Sequence, residues 1–338
     1  MDIDVRPVDP HDEAVLAERH AVTAAAQAHD VPDFPPLCPV RYAGPLRLPV
    51  KAYATLSWIA YLDGQPAGVL DLELPLLDNT GKAQLGLAVA PGYRRRGLGR
   101  ELYAFAIEAA RRHGRIRLTA DTVAALPGGV PRDPAGPAFA RAMGAEAALA
   151  EVRRRLDLST VDLGALAAPE APGYSVVFWR DVAPEEYFAD LAWLDRQLMT
   201  DAPHGKLVWE VPAADAERIR DDQEVRQARG SRCYHAAIRH DPTGALVAWT
   251  TLAFDPTVSD QAWQFVTVVD PAHRGRRLGL WVELANLRRT ARAEPALRVI
   301  DTWNAAANRH MIAINEALGF RAVDAWDHWQ QEFPTIAS

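Results

Sequence analysis

The sequence predicts an α/β protein built from two tandem domains. Its 338 residues exceed the usual length of one domain, so two domains of about 170 residues each are the first expectation. An internal repeat, and the same order of predicted strands and helices in both halves, support this architecture. With 49% hydrophobic and 24% charged residues, the chain has the composition of a globular protein.

The repeat centres on a segment rich in arginine and glycine. Residues 87–99 match residues 267–279 at a constant offset, since 267 minus 87 and 279 minus 99 both give 180. The same offset aligns Asp121 with Asp301. Duplication of one domain explains this agreement best.

Each half shows the same predicted elements in the same order. In the first half, apolar runs and turn residues predict strands at 58–62, 67–74 and 83–89, a helix from Leu98 and a short strand ending at Ala120. In the second half they predict strands at 234–239, 245–254 and 262–269, a helix at 278–291 and a strand at 298–301. The predicted domain limits are therefore 1–158 and 174–338, joined by a linker at 159–173 that is rich in Ala and Pro.

In both copies, the loop between the third strand and the helix has the features of an anion site. Unpaired backbone N–H groups and the positive end of the helix dipole point at a ligand there. Glycines permit close approach of the backbone, and arginines add charge for a diphosphate. The residues predicted to bind it are Arg94, Arg95, Arg96, Gly97, Leu98, Gly99 and Arg100, and in the second copy Arg274, Gly275, Arg276, Arg277, Leu278 and Gly279.

The segment Arg94-x-x-Gly97-x-Gly99 resembles the Gln/Arg-x-x-Gly-x-Gly/Ala signature of the GNAT acyltransferase superfamily. In the second copy, Arg277 stands where the family has its first Gly. The resemblance extends over nearly the whole chain and is greatest to tandem-domain GNAT proteins of actinobacteria. It implies, in each domain, a mostly antiparallel sheet with splayed central strands flanked by helices.

The resemblance also implies a cofactor and a reaction. The cofactor is acetyl-CoA or another acyl-CoA, and the reaction is direct transfer of the acyl group to a small-molecule amine in a ternary complex. In this family the pantetheine arm pairs with the backbone of the fourth strand, here Leu87, Ala88 and Val89 or Thr267, Val268 and Val269. Asn304 or Asn308 would reach the cofactor near the thioester.

Catalytic residues are harder to assign, because many relatives use a fourth-strand Glu as base and a Tyr four residues before a late Gly as acid. The fourth strands here offer Gln84, Gln264 and Thr267, and the acid positions hold Ala140 and Asn315. The remaining catalytic candidates are Asp301, Asp121 and Asp201. Asp301 and Asp121 end the fifth strands, and Asp201 would hold a cationic amine; a cap or turn role is the alternative for each.

Other sequence features narrow the function. The better-preserved segment 302–320 gives a slight preference for catalysis in the C-terminal domain. Asp71 and Glu73 alternate with leucines on one strand, so we expect them to be solvated. The alternatives to an amine acetyltransferase are an acyl-CoA-binding or sensing protein without turnover and a mycothiol synthase-like acetyltransferase.

Several classes of partner are disfavoured. A net charge of -7 argues against general nucleic-acid binding. The acidic start of the chain and the lack of a long apolar stretch favour a cytoplasmic protein that does not bind membranes. The two cysteines, Cys38 and Cys233, have no metal or redox spacing, so we expect no metal site. Both a monomer and a homodimer remain open.

Overall fold

A computed structural model describes residues 2–213 and 215–333. The strands are β1 (Ile3–Pro7), β2 (Tyr53–Leu62), β3 (Gln65–Pro75), β4 (Lys82–Val89), β5 (Arg117–Ala125), β6 (Glu146–Asp157), β7 (Tyr174–Arg180), β8 (Arg232–His240), β9 (Leu246–Phe254), β10 (Gln261–Val269), β11 (Val299–Ala305) and β12 (Arg321–Glu332). The α-helices are α1 (Glu13–Asp30), α2 (Pro39–Arg47), α3 (Leu98–Arg112), α4 (Ala135–Ala142), α5 (Phe188–Asp201), α6 (Ala216–Ala228), α7 (Leu278–Ala293) and α8 (Arg309–Leu318).

The chain divides into two compact units. The described part of the first unit comprises residues 2–151, 204–210 and 324–333, and the second takes the rest. Most of β12, from the C-terminal end of the chain, therefore belongs to the first unit, and β6 begins in the first unit and continues in the second. The domain limits that the sequence repeat predicts, 1–158 and 174–338, stay a prediction.

The sheet of the first unit has the strand order β1-β2-β3-β4-β5-β12. Its neighbours are antiparallel except β4 and β5, which run parallel and pair over only three residues, 82–84 with 117–119. Beyond these pairs the two strands separate. The main core lies between this sheet and α3, which buries one face at Leu98, Leu102, Ala106, Ala109 and Ala110. This spacing is the helical period that the sequence predicts.

The first helix of this unit covers the opposite side of the same sheet. Asp12 caps α1 by accepting hydrogen bonds from the N–H groups of Ala14 and Val15 at 3.0 and 3.2 Å. Such a cap satisfies backbone donors that a helix start leaves unpaired. The helix then packs on β3 and β4, so these strands lie between two helical layers.

The second unit repeats the plan. Its sheet has the order β6-β11-β10-β9-β8-β7, and β10 and β11 are parallel over three residue pairs, 261–263 with 299–301. A β-bulge between Gln264 and Val266 interrupts the pairing of β10 with β9. Helix α7 packs on one face of the sheet and α5 on the other.

The predicted mixed sheet flanked by helices is confirmed in both units. The third predicted strand, the helix and the fifth-strand run of each half correspond to β4, α3 and β5 and to β10, α7 and β11. In the described part of the chain, no helix combines the length and apolar character that crossing a membrane requires.

Candidate active site

The first predicted phosphate loop connects β4 to α3. Its backbone is left-handed at two positions, Arg95 with a φ of 64° and Gly97 with a φ of 88°. The carbonyl of Gly97 accepts hydrogen bonds from the N–H groups of Arg100 and Glu101 at 2.9 and 3.3 Å. The preceding N–H groups, at the helix start, have no intrahelical acceptor. They form a set of donors at the positive end of α3.

The second loop adopts the same conformation with its glycine in the other left-handed position. Gly275 has a φ of 81° and Arg277 a φ of 58°. Because Gly275 aligns with Arg95 and Arg277 with Gly97, each loop has one glycine and one arginine at the two left-handed positions. The sequence departure at Arg277 therefore leaves the backbone of the anion site unchanged.

The next glycine of each loop permits close packing of two helices. A Cβ atom on Gly99 would lie 3.3 Å from the Phe139 ring, and one on Gly279 would lie 3.0 Å from Ile314 Cδ1. Phe139 and Ile314 belong to α4 and α8, so these helices pack directly on the helix starts. Leu98 and Leu278, the residues just before these packing glycines, are buried and anchor the helices.

The first arginine of each loop links the end of the preceding strand to a carboxylate on another element of the same unit. Arg94 Nε donates to the Val89 carbonyl at 3.0 Å, and its other nitrogens contact Asp30 at 2.6 and 2.8 Å and Asp133 at 2.9 Å. His29, Asp30 and Asp133 place ligand-type atoms within 4.8 Å of one another. The Arg94 guanidinium already supplies the positive charge that this acidic cluster attracts.

Arg274 repeats this arrangement in the second unit. Its Nε donates to the Val269 carbonyl at 3.2 Å, and its guanidinium pairs with Asp201 at the end of α5. Asp201 was predicted to hold a cationic amine; in the structure its carboxylate holds Arg274. The remaining loop arginines, Arg95, Arg96, Arg100, Arg276 and Arg277, are exposed.

The predicted pantetheine strands differ in what lies beneath them. Leu87, Ala88 and Val89 are half-buried, as is Val269, whereas Thr267 and Val268 are buried. Thr267 Oγ1 donates at 3.2 Å to Glu283 of α7. Burial raises the pKa of this carboxyl to about 7, and the Thr267 hydrogen bond only partly opposes the shift. The second unit thus has a carboxyl beside this strand that is partly neutral near pH 7.

In the first unit, polar side chains bridge the point where β4 and β5 separate. Gln84 Oε1 accepts from Thr119 Oγ1 at 2.6 Å, and Gln84 Nε2 donates to Asp121 Oδ2 at 3.0 Å. The ring nitrogens of His328, on β12, contact Asp121 at 2.5 Å and Glu151 at 2.9 Å. Sequence analysis identified Asp121 but missed His328 and Glu151, which are distant in sequence.

The equivalent point of the second unit is aromatic. When the two parallel ladders are aligned, Ile300 corresponds to Leu118, and both are buried against a helix. Trp263 and Trp303 then correspond to Gln84 and Asp121, because they hold the same positions relative to the parallel pairs of their strands. Their rings stack with centroids 5.7 Å apart.

This register corrects the sequence alignment of Asp121 with Asp301. The offset is 300 minus 118, or 182, in the fifth strand rather than 180, so Asp301 corresponds to Thr119. Asp301 is fully buried and accepts two hydrogen bonds of 2.7 Å from Arg155, and Arg153 lies 3.5 Å away. A carboxylate enclosed by two guanidinium groups holds the sheet together, and we do not retain it as a catalytic candidate.

Comparison with known proteins identifies the family. The model of the Acetyltransferase (GNAT) family matches residues 25–127. A tandem GNAT protein from the clavulanic acid biosynthesis pathway is 36% identical, with a TM-score of 0.87 over 98% of this chain and 99% of that chain. This chain belongs to the GNAT family. Members of this family are acyl-CoA-dependent N-acetyltransferases, and the chain is an acetyltransferase.

More distant structures share the GNAT fold. A GCN5-related N-acetyltransferase from Sphaerobacter thermophilus has 15% identity and a TM-score of 0.68, over 99% of this chain and 98% of that chain. A glucosamine N-acetyltransferase region of a fungal multi-domain β-N-acetylglucosaminidase has the same identity and TM-score, over 98% of this chain and 38% of that one. No curated protein sequence matches the chain significantly.

The asparagines that the GNAT resemblance places near the thioester have partners within the second unit. Asn304 Oδ1 accepts from the side-chain amide of Asn315 at 2.6 Å. Asn308 caps α8 by accepting from the Met311 N–H group at 3.2 Å. Asn308 therefore stabilises a helix start, and its contact with the cofactor stays a prediction, as does that of Asn304.

A buried ion pair that sequence analysis missed lies on the α1 side of this GNAT sheet. Arg19 is 3% exposed and donates to Asp71 at 2.8 Å, to Ser57 at 2.8 Å and to the Tyr42 carbonyl at 3.1 Å. The expectation of solvation is therefore wrong for Asp71, which is half-buried, whereas Glu73 is exposed as expected. Alternation along β3 shows which face Asp71 occupies, but the covering helix and its arginine are not visible in that pattern.

Proposed function

We propose that the chain transfers an acetyl group from acetyl-CoA to a small-molecule amine while both substrates are bound. The observation that carries this proposal is the loop at the start of α3, where two left-handed residues precede helix-start N–H groups that have no intrahelical acceptor. The same loop conformation recurs before α7. Such donors at a helix start fit a diphosphate such as that of CoA.

The residues present fit the cofactor in further ways. Exposed Arg95, Arg96 and Arg100 lie next to the donors of the first loop and would pair with phosphate oxygens. Half-buried Leu87 to Val89 leave one side of β4 accessible where β5 has separated from it. Acetyl-CoA would supply the thioester carbonyl carbon that the amine attacks.

The reaction balances without a covalent enzyme intermediate. The amine nitrogen forms a bond to the acetyl carbon, the carbon–sulfur bond breaks, and the proton that nitrogen loses balances the proton that the CoA sulfur gains. The role proposed for the protein is to hold the two substrates in contact, which by itself lowers the barrier substantially. The origin of a 36% identical relative in a small-molecule biosynthetic pathway supports a small-molecule acceptor.

For the second unit alone, an alternative function is to bind acyl-CoA without turnover. Its loop has the required conformation, but stacked Trp263 and Trp303 occupy the point that is polar in the first unit. This arrangement reverses the slight preference for catalysis in the C-terminal half that sequence analysis gave.

Calorimetric titration with CoA and acetyl-CoA tests the cofactor site. Gly97→Val places a branched side chain at a left-handed position among the donors and should reduce CoA affinity at the first unit at least tenfold. Gly114→Val is the matched control, because Gly114 has a φ of 70° and follows the other end of α3. Equal loss of CoA affinity in both variants would refute the assigned site.

Turnover is tested by the release of CoA thiol with a panel of amines. The proposal expects thiol release that depends on an amine and an acetylated amine as product. Tight binding of acetyl-CoA with no amine-dependent release across the panel would refute acetyl transfer and favour sensing.

A further inference from the structure

The charge at the point where β4 and β5 separate indicates what kind of acceptor binds. Asp121, Glu151 and His328 form a connected cluster there, with Gln84 on its β4 side. The three ionisable side chains are 23% to 34% exposed, so the cluster borders solvent. It lies at the place where this family joins its two substrates, so its chemistry selects among acceptors of the same reaction.

The hydrogen bonds within the cluster leave one group available. Both ring nitrogens of His328 contact carboxylates, so the ring is a fully engaged imidazolium that neither takes a proton nor accepts a hydrogen bond. Asp121 uses one oxygen for His328 and the other for Gln84. Glu151 Oε2 contacts His328, and within residues 2–213 and 215–333 its Oε1 has no hydrogen-bond partner.

Lys82 on β4 and Arg117 on β5 both interact with carboxylates outside this cluster. Asp121, Glu151 and the His328 imidazolium together carry one negative charge. Lys82 is close enough to interact with Asp121, but Glu73 interacts with the same ammonium and offsets it. Arg117 is paired with Glu332 at 2.5 Å. The cluster of Asp121, Glu151 and His328 therefore has a net charge of about minus one at neutral pH.

The second unit lacks this charge. Trp263 and Trp303 stand at the positions of Gln84 and Asp121, and the nearest carboxylate along β11, Asp301, is buried against Arg155. The point where β4 and β5 separate therefore attracts cations, whereas the point where β10 and β11 separate is lined by aromatic rings.

We infer that the acceptor binds at the first unit and is an amine that carries a further positive charge, held by Glu151 and Asp121. This inference rests on the proposed function. The attacking nitrogen must be neutral when it reacts, so a simple monoamine loses its attraction to the cluster before the transfer. A second ammonium group keeps its charge and remains paired with the carboxylates throughout the reaction.

Three acceptors of equal chain length test this inference: 1,5-diaminopentane, 1-aminopentane and 5-aminopentanoate. The expected order of kcat/KM is diamine, then monoamine, then amino acid. Glu151→Gln should reduce the preference for the diamine over the monoamine about tenfold, since a hydrogen bond to a charged group is lost. Asp121→Asn, which keeps the shape of the side chain, should reduce the same preference.

Asp327→Asn is the matched control. It removes one carboxylate from β12 next to His328, but alternation along the strand places Asp327 on the opposite face. Its diamine preference should equal that of the unaltered protein. Equal kcat/KM for diamine and monoamine in the unaltered protein, or an equal change in all three variants, overturns the inference while leaving acetyl transfer intact.

A binding measurement tests cation binding at Glu151 and Asp121 separately from acetyl transfer. Calorimetry of 1,5-diaminopentane with the CoA-loaded protein should show binding that Glu151→Gln weakens about tenfold. If no amine supports thiol release but the diamine binds and Glu151→Gln weakens that binding, the cation site at Glu151 and Asp121 is supported and the acetyltransferase proposal fails. If neither the unaltered protein nor the variants bind the diamine, the cation site is refuted.

Discussion

The imidazolium of His328 lies between two carboxylates, so removing its charge should destabilise the first unit in a pH-dependent way. His328→Gln keeps a polar side chain but has no charge. It leaves Asp121 and Glu151, which now lie 2.5 and 2.9 Å from the ring nitrogens, without a cation between them. The remaining carboxylates would repel each other and lose a charge-assisted hydrogen bond each.

The pKa of His328 sets the size and the sign of this effect. Burial lowers the pKa, but the hydrogen bonds to Asp121 and Glu151 outweigh burial and raise it to about 10. Because the pKa of an unfolded imidazole is about 6.5, the stabilisation is complete below that pH, declines above it and is lost as pH rises through about 10. At pH 7 the shift corresponds to about 4 kcal/mol, which we reduce to about 2 kcal/mol for solvent screening.

Urea unfolding at two pH values measures this contribution. At pH 7 the variant should be less stable than the unaltered protein by about 2 kcal/mol, and at pH 10.5 the difference should fall below about 0.5 kcal/mol. His11→Gln, at an exposed position in the loop before α1, is the control and should change stability by less than about 0.5 kcal/mol at either pH. A deficit of the same size at both pH values would show that His328 acts through packing, not charge.

Three further outcomes follow from the structure. Arg277→Gly should stabilise the second unit by about 0.5 kcal/mol in urea unfolding, because glycine adopts the left-handed φ without the cost of a side chain; lower stability would contradict the assigned backbone. Asp301→Asn should cost about 3 kcal/mol, because it leaves the Arg155 guanidinium without its buried counter-charge; a loss below about 1 kcal/mol would contradict this. Cys233 should resist a thiol reagent at pH 8 until urea unfolds the chain, because burial raises its pKa to about 11; fast labelling of the folded protein would show that the thiol is accessible.

The sequence predicted the loops well because their information is local. A strand end, a turn and a helix start are adjacent in the chain, and the glycines and arginines that shape them lie within residues 87–99 and 267–279. Even there, the sequence did not show that Arg94 and Arg274 pair with carboxylates outside the loops. Their partners, Asp30 and Asp201, lie at the ends of helices more than 60 residues earlier, since 94 minus 30 is 64 and 274 minus 201 is 73.

The chemistry at the strand separation could not be predicted in the same way. Asp121 contacts His328, which is 207 residues away, only because β12 lies beside β5 in the first unit. The constant offset of 180 also failed in the fifth strand, where the parallel ladders align Leu118 with Ile300. A shift of two residues keeps each side chain on the same face of its strand, so the apolar pattern alone gives no sign that the alignment has changed.

The two kinds of site differ in what maintains them, and this difference decides which experiments are informative. The anion loops depend on backbone conformation. Arg95 aligns with Gly275 and Gly97 with Arg277, and all four residues have a left-handed φ, so the change of residue type leaves the backbone donors as they are. The separation points depend on side chains, and there a Gln and an Asp in one unit correspond to two tryptophans in the other. Binding of CoA is therefore expected to look alike in both units and cannot reveal which one is catalytic. The response to acceptor charge distinguishes them, because Gln84 and Asp121 at this point of the first unit correspond to Trp263 and Trp303 in the second.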